Sequence, residues 1–256
     1  MKTVWITGGG SGIGKALAQR CYERGDHVVI TGRRPEPLAQ AIKDISGQAT
    51  SDRLWMFAGD AADAQHAAQV VTALGAQGLF VDVLINSAGQ NDNRAFDETT
   101  TAEFETAFRV NCLTAVECVK AVLPDMRRRR SGAIVAISSV LGRWGSSGSA
   151  SYSVSKYATT GLIDVLRQEL IDTGIHVLGV FPGFVQTDMT LPFVTPGSLK
   201  SRFGKTPLQM ADALLGALEG GRAELYYPFY VSWLLRLHRW APVWADTLAR
   251  RLHHGR

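Results

Sequence analysis

Six short runs of apolar residues, rich in β-branched side chains, recur along the chain at 3–7, 27–31, 54–58, 81–86, 133–138 and 176–181. Between them lie longer stretches, 14–24, 37–45, 64–75, 101–126 and 152–173, with helical apolar patterning. Runs that are apolar throughout predict strands buried on both faces, and the helical stretches predict the layers that bury them. Strand and helix alternate in order, which predicts an α/β chain with a central parallel sheet and helices on both faces. No repeat, low-complexity tract or Pro/Gly/Ser-rich linker divides residues 1–224, which read as one domain.

Beyond this the pattern changes. Trp233, Leu237, Trp240, Trp244, Leu248 and Leu252 fall on one helical stripe, while Arg236, Arg239, Arg250 and Arg251 occupy other faces. Pro242 predicts a break, with a second helix starting near it. Residues 225–256 therefore read as a C-terminal amphipathic helical extension, with three readings open for its stripe: packing on the body, a subunit interface or a membrane surface. Prolines and charges within the stretch exclude an ordinary spanning helix.

Charge sharpens the division. From Trp233 onward five arginines face one acid, Asp246, a surplus equal to the formal +4 of the whole chain. Residues 1–232 are formally neutral, so no nucleic-acid groove is expected across the body. Three cysteines, Cys21, Cys112 and Cys118, have no metal-ligand spacing and read as small core residues. No metal site is expected. The cysteines and the absence of a signal-like N-terminal segment point to a cytoplasmic setting, with peripheral membrane association through the tail as a further reading.

The first apolar run leads into Thr7-Gly8-Gly9-Gly10-Ser11-Gly12-Ile13-Gly14, which opens a helical pattern. In this strand–turn–helix context, glycines allow a tight turn, close approach of backbone N–H groups to a pyrophosphate, and helix–strand packing. A doubly wound Rossmann fold with a dinucleotide site follows as the expectation. The second run ends at Thr31-Gly32-Arg33-Arg34, with no acid to hold a ribose 2′-hydroxyl; Arg33 and Arg34 favour the 2′-phosphate of NADP(H) over NAD(H).

Tyr152 and Lys156 stand four residues apart on a predicted helix and so share a face. A phenol titrates near 10, and a neighbouring ammonium is expected to lower that value and make the phenol a usable acid or base. Ser139 lies thirteen residues before Tyr152 and could donate a hydrogen bond to a reacting oxygen. Ser138 competes for that role, but its place at the strand end favours bonding to backbone.

Together these motifs resemble the short-chain dehydrogenase/reductase family over residues 1–220. The glycine turn fits, with Gly8, Gly10, Ser11, Gly12, Ile13 and Gly14 as cofactor contacts. Asp60, followed by Ala61, matches the family's acid beside the adenine. Asn86-Ser87-Ala88-Gly89 matches its Asn-Asn-Ala-Gly motif, with Ser87 replacing the second asparagine. Asn111, Ser139, Tyr152 and Lys156 match the catalytic tetrad, and Pro182-Gly183-Phe184-Val185-Gln186-Thr187 matches the segment whose threonine approaches the nicotinamide.

The resemblance implies an enzyme that interconverts a carbonyl and an alcohol by hydride transfer. Tyr152 would be general acid/base, Lys156 would hold the nicotinamide ribose, and Asn111 would hold a water linking Lys156 to solvent. It also implies a homodimer or homotetramer. Leu141, Trp144 and Phe184, with Met189, Leu191, Phe193, Val194 and Phe203 in a lid at 188–206, would line an apolar pocket for a lipophilic small molecule. The competing reading is a non-catalytic cofactor-sensing or scaffolding module on the same fold, which has no need of all four tetrad residues.

Overall fold

The computed structural model describes residues 1–191 and 204–247. Strands β1 (Thr3–Thr7), β2 (His27–Gly32), β3 (Leu54–Ala58), β4 (Val83–Asn86), β5 (Gly132–Ile137) and β6 (Ile175–Pro182) fall on the six predicted runs. A seventh strand, β7 (Glu224–Tyr227), crosses the expected boundary at 224/225 and pairs parallel to β6, so the sheet extends into the presumed extension. Four residues on a sheet edge, of which Leu225 alone is buried, are too short a run to stand out in the sequence.

All neighbours are parallel, in the order β3-β2-β1-β4-β5-β6-β7. Such pairing requires crossovers, and helices supply them, all but the seventh falling on the predicted stretches. They are α1 (Gly12–Glu23), α2 (Pro35–Ser46), α3 (Ala64–Gly75), α4 (Thr101–Phe108), α5 (Thr114–Arg129), α6 (Ala150–Glu169) and α7 (Pro207–Glu219). The single helix expected at 101–126 is interrupted by a π turn at Arg109–Leu113. After β7 comes α8 (Tyr230–Trp240), and helix resumes at Pro242, the break that the proline predicts.

Period-two alternation divides each central strand between two cores. Val4 and Ile6 of β1 pack with Leu17, Leu38 and Leu214 on the α1/α2/α7 face. Trp5 packs with Val70, Val122 and Ile163 on the α3/α5/α6 face. Its fully buried indole also donates to Thr31 Oγ1 at 3.1 Å, so its one polar atom is satisfied.

β1 lies between β2 and β4, and the chain leaves it in one direction and returns on its other side. Beyond the carboxyl ends of β1 and β4 this reversal opens a crevice, the usual ligand position of such sheets. Thr7, at the end of β1, is in register with Thr31 and Asn86, so three strand ends meet there.

Trp5→Ala is expected to lower unfolding free energy by about 3–5 kcal/mol, because it empties a dry site and leaves the Thr31 hydroxyl without its donor. Urea denaturation of both proteins measures it.

Candidate active site

The glycine turn is built by backbone contacts. Gly8 N–H donates to Thr31 O at 2.7 Å, fixing the turn to β2. Gly8 adopts φ +68°, and a Cβ there would meet Ala88 Cα at 2.9 Å. At Gly14 a Cβ would stand 2.3 Å from Gly8 O, so the first turn of α1 packs directly on the loop. Ser11, the N-cap of α1, makes no side-chain cap, and the first turn carries no acid. The free N–H groups and the positive end of the helix dipole therefore remain available to an anion.

The opposite wall is held by hydrogen bonds. Thr7 Oγ1 accepts from Ser87 N at 3.1 Å and Ala88 N at 3.0 Å. Two residues on, the Asn111 side chain grips Gln90 from both sides: its Oδ1 accepts from Gln90 N at 2.8 Å and its Nδ2 donates to Gln90 O at 3.0 Å. That Nδ2 also donates to Ser155 Oγ at 2.8 Å, and Ser155 Oγ donates to Tyr152 O at 2.8 Å.

A cleft of about 260 Å³ runs between these walls. Of the cofactor residues predicted from sequence, Gly8, Gly10, Ser11, Gly12, Ile13, Gly14, Arg33, Arg34, Asp60, Ala61, Ala88, Gly89, Pro182, Gly183, Val185 and Thr187 line it. So do Ser139, Tyr152 and Lys156. Asn86 does not: its side chain is buried with neither polar atom hydrogen-bonded within the protein. Asn111 also lies outside the lining, and both hydrogens of its amide are already donated, so that nitrogen does not hold the expected water.

The two serines separate clearly. Ser138 Oγ donates to Lys156 O at 2.9 Å and pairs with Thr160 Oγ1, tying β5 to α6. Ser139 Oγ accepts from Leu141 N at 3.1 Å, which leaves its own hydrogen to donate into the cleft.

Tyr152 and Lys156 share a face of α6, with Nζ 5.7 Å from the phenol ring centre. The ammonium is buried and donates to Ile137 O at 2.9 Å. Burial pushes Lys156 down to about 8, with the nearby Cys112 opposing. Burial likewise pushes the Tyr152 phenol up, with the Ser139 hydroxyl opposing. The net direction for Tyr152 is therefore upward, against the lowering expected from its lysine, because loss of water dominates.

At the outer end Asp60 meets Arg109, a residue the sequence reasoning missed. Arg109 Nη2 and Nε approach Asp60 Oδ2 at 2.9 and 3.0 Å. Burial raises the Asp60 carboxyl, but the Ala62 N–H, Arg109 and the charge of Arg33 together hold it below the usual carboxylate range. Arg33 Nη2 reaches Gln90 Oε1 at 3.4 Å. Arg109 carries no local sequence signal, because it reaches Asp60 through the turn of the π helix.

Other missed lining residues include Pro37, Leu38, Val110, Thr114, Ile137 and Thr190, which carry no motif of their own. Of the expected substrate wall, Met189 lines the cleft, whereas Leu141 and Phe184 do not. Leu191 is exposed, and Trp144 is turned toward the C-terminal segment, where its Nε1 donates to Asp246. Phe193, Val194 and Phe203 lie outside the described residues, as do Leu248 and Leu252 of the tail stripe. Cys21, Cys112 and Cys118 are buried in the core, and burial pushes the Cys21 thiol up to about 12.

Comparison with known proteins places this geometry among relatives. The family model for short chain dehydrogenase matches residues 2–195. The 3-dehydrosphinganine reductase of Danio rerio is 31% identical over 235 residues, which cover 88% of this chain and 71% of that protein. Ketoacyl reductase HetN of Nostoc sp. is 34% identical over 232 residues, covering 88% and 77%. An actinorhodin polyketide ketoreductase solved with NADPH superposes with a TM-score of 0.80 at 26% identity, over 90% of this chain and 97% of that one.

The Lys156 shift carries a stability consequence. Lowering from 10.5 to about 8 means that the folded state releases its proton first, so the burial cost is full below pH 8 and relieved as pH rises toward 10.5. That cost is about 3 kcal/mol at neutral pH. Lys156→Met is expected to be more stable than the wild type at pH 7, with the margin narrowing above pH 8. Denaturant titrations of both proteins at the two pH values measure it, and a margin independent of pH would contradict the assignment.

Proposed function

The chain belongs to the short-chain dehydrogenase family of NAD(P)-dependent oxidoreductases, and we propose that it reduces a lipophilic ketone with NADPH, using Tyr152 as the proton donor. One observation carries the reading: Ser139, Tyr152 and Lys156 line the same cleft as the glycine turn.

The cradle fits a dinucleotide on this structure's own terms. Side chains at Gly8 and Gly14 would strike the backbone of Ala88 and of Gly8 and force its walls apart, and the uncapped start of α1 offers anion-binding N–H groups. Gly8–Gly14 would receive the pyrophosphate, Asp60 and Ala61 the adenine side, and Gly89, Lys156 and Thr187 the nicotinamide side. A bound nicotinamide supplies the hydride.

The chain's own residues would do the rest. Burial keeps the Tyr152 phenol protonated at neutral pH, which suits donation to a carbonyl oxygen as negative charge builds on it. Ser139 holds its Oγ by the Leu141 N–H and directs its remaining hydrogen to the same oxygen, an interaction that strengthens as the reaction proceeds. Lys156, anchored on Ile137 O, brings a positive charge near the phenol and makes loss of its proton easier. Asn111 acts as a positioning residue, holding the loop at Gln90 against α6.

The preference for NADPH rests on charge. Arg33 and Arg34 stand at the exit of β2 with no acid from Gly32 to Pro35, and Asp60, the acid that lines the cleft with them, is paired with Arg109. A 2′-phosphate would meet these two guanidinium groups. Support for a lipophilic ketone comes from Val110, Ile137, Val185 and Met189 in the cleft wall, and from relatives named as reductases of 3-dehydrosphinganine, ketoacyl and polyketide compounds.

With a panel of aliphatic and aromatic ketones, NADPH oxidation is expected, and Tyr152→Phe should reduce kcat by at least about a hundredfold while leaving NADPH binding intact. Undiminished turnover in that variant would refute the proton-donor role. Titration calorimetry should show tighter binding of NADPH than of NADH, with Arg33→Ser removing most of the difference. Tighter binding of NADH by the wild type would overturn the cofactor reading.

A further inference from the structure

The segment after β7 carries a surface that the redox chemistry does not use. One side of it is docked on the body. Val231 is buried against Gly183, and Ala245 is also buried. His238 stacks on Trp144 with ring centres 4.5 Å apart. Asp246 accepts from Trp144 Nε1 at 2.8 Å and faces His238 Nε2 at 3.4 Å.

Among the described residues, the remaining surface is exposed. Trp240 is 90% exposed, Trp233 64% and Trp244 57%, accompanied by Phe229, Leu237 and Val243. Within the described residues, these members of the tryptophan stripe are therefore exposed. Arg236 and Arg239 are exposed among them, and the Arg236 guanidinium lies over the Trp233 ring at 5.2 Å. The one acid from Pro228 to Thr247, Asp246, is turned toward Trp144. Three more arginines follow at 250, 251 and 256, while the body up to 232 is formally neutral.

Exposed tryptophans interleaved with arginines suit a particular boundary. Indole rings settle at the headgroup level of a bilayer, where one edge is apolar and the other wet, and guanidinium groups pair with phosphate there. Anionic lipids complement the excess charge that this segment holds. A second copy suits the surface less well, because a two-fold contact would gather Arg236 and Arg239 of both copies into one interface.

We propose that residues 229–247 form an interfacial anchor that seats the protein on a bilayer bearing anionic headgroups, with Trp233, Trp240 and Trp244 entering the headgroup–acyl boundary. The docked side holds Trp144, which lies between Ser139 and Tyr152 in the chain, so the anchor is joined to the catalytic loop. The anchor is independent of which carbonyl is reduced.

The test is flotation of the full chain with vesicles of phosphatidylcholine alone, or of phosphatidylcholine mixed with phosphatidylserine. Strong flotation with the mixed vesicles, weakened by salt and accompanied by a blue shift of tryptophan emission, is expected. Trp240→Ser combined with Trp244→Ser should weaken partitioning by about tenfold or more, with the thermal midpoint and turnover of a water-soluble ketone unchanged. Arg236→Glu with Arg239→Glu, at exposed positions, should produce a comparable loss and serves if the tryptophan variant folds poorly. Absence of flotation with either vesicle would overturn the proposal. So would flotation that both variants retain, or a dimer that the tryptophan substitutions split while vesicle binding stays the same, which would assign this face to a second copy.

Discussion

Two stretches of backbone meet beyond the sheet without side chains between them, and the site depends on that contact. Gly8 lies so close to Ala88 that a Cβ would stand 2.9 Å from its Cα, and Thr7 Oγ1 secures the approach by accepting from Ser87 and Ala88. From there a chain of hydrogen bonds runs through Gln90, Asn111 and Ser155 to the backbone of Tyr152. The position of the phenol relative to the glycine turn is thereby set by a path that crosses β1, the loop after β4, the π turn and α6. The Asn111 amide is satisfied at both ends of this path, and a buried polar network of this kind holds geometry well because every member has its partner.

Burial governs the electrostatics of the inner site, and ion pairing those of the outer. Lys156 and Tyr152 both move toward their neutral forms, since removal of water opposes charge on each. Asp60 is more open and has Arg109, Arg33 and a backbone N–H to compensate, so it stays charged. A gradient results, from a charged, phosphate-compatible entrance to a drier reacting end lined by Ile137, Val185 and Met189. Proton transfer and carbonyl polarisation gain from such an interior, because hydrogen bonds act there in a lower dielectric than water.

The segment after β7 joins two surfaces of different character. Its inner side is fixed by specific contacts, a stacked Trp144–His238 pair and the Asp246 carboxylate on the Trp144 indole. Its outer side presents Trp233, Trp240 and Trp244 together with Arg236 and Arg239. Among the described residues no helix is long and apolar enough to cross a membrane, so any lipid contact of these helices is with a surface.

How much of this was legible in the sequence follows from the range of the forces involved. Buried parallel strands must be apolar on both faces and their crossovers must be amphipathic, so six strands, most helices and the sheet class are written in local pattern. A Cβ-free turn and a phenol and amine four residues apart are local too, which is why Gly8–Gly14, Ser139, Tyr152 and Lys156 could be named from spacing and do line one cleft. Tertiary structure alone decided what depends on distant partners. It brought Arg109 to Asp60, faced the Asn111 amide inward onto Gln90 and Ser155, turned Asn86 away from the cleft, and added the edge strand β7. It also reversed the sign expected for Tyr152, since desolvation is a property of everything packed around a group and not of the residue four positions away. The tail shows the same division: its stripe and charge stand in the sequence, but which face would dock and which would stay exposed depended on where Trp144 and Gly183 lay in the folded body.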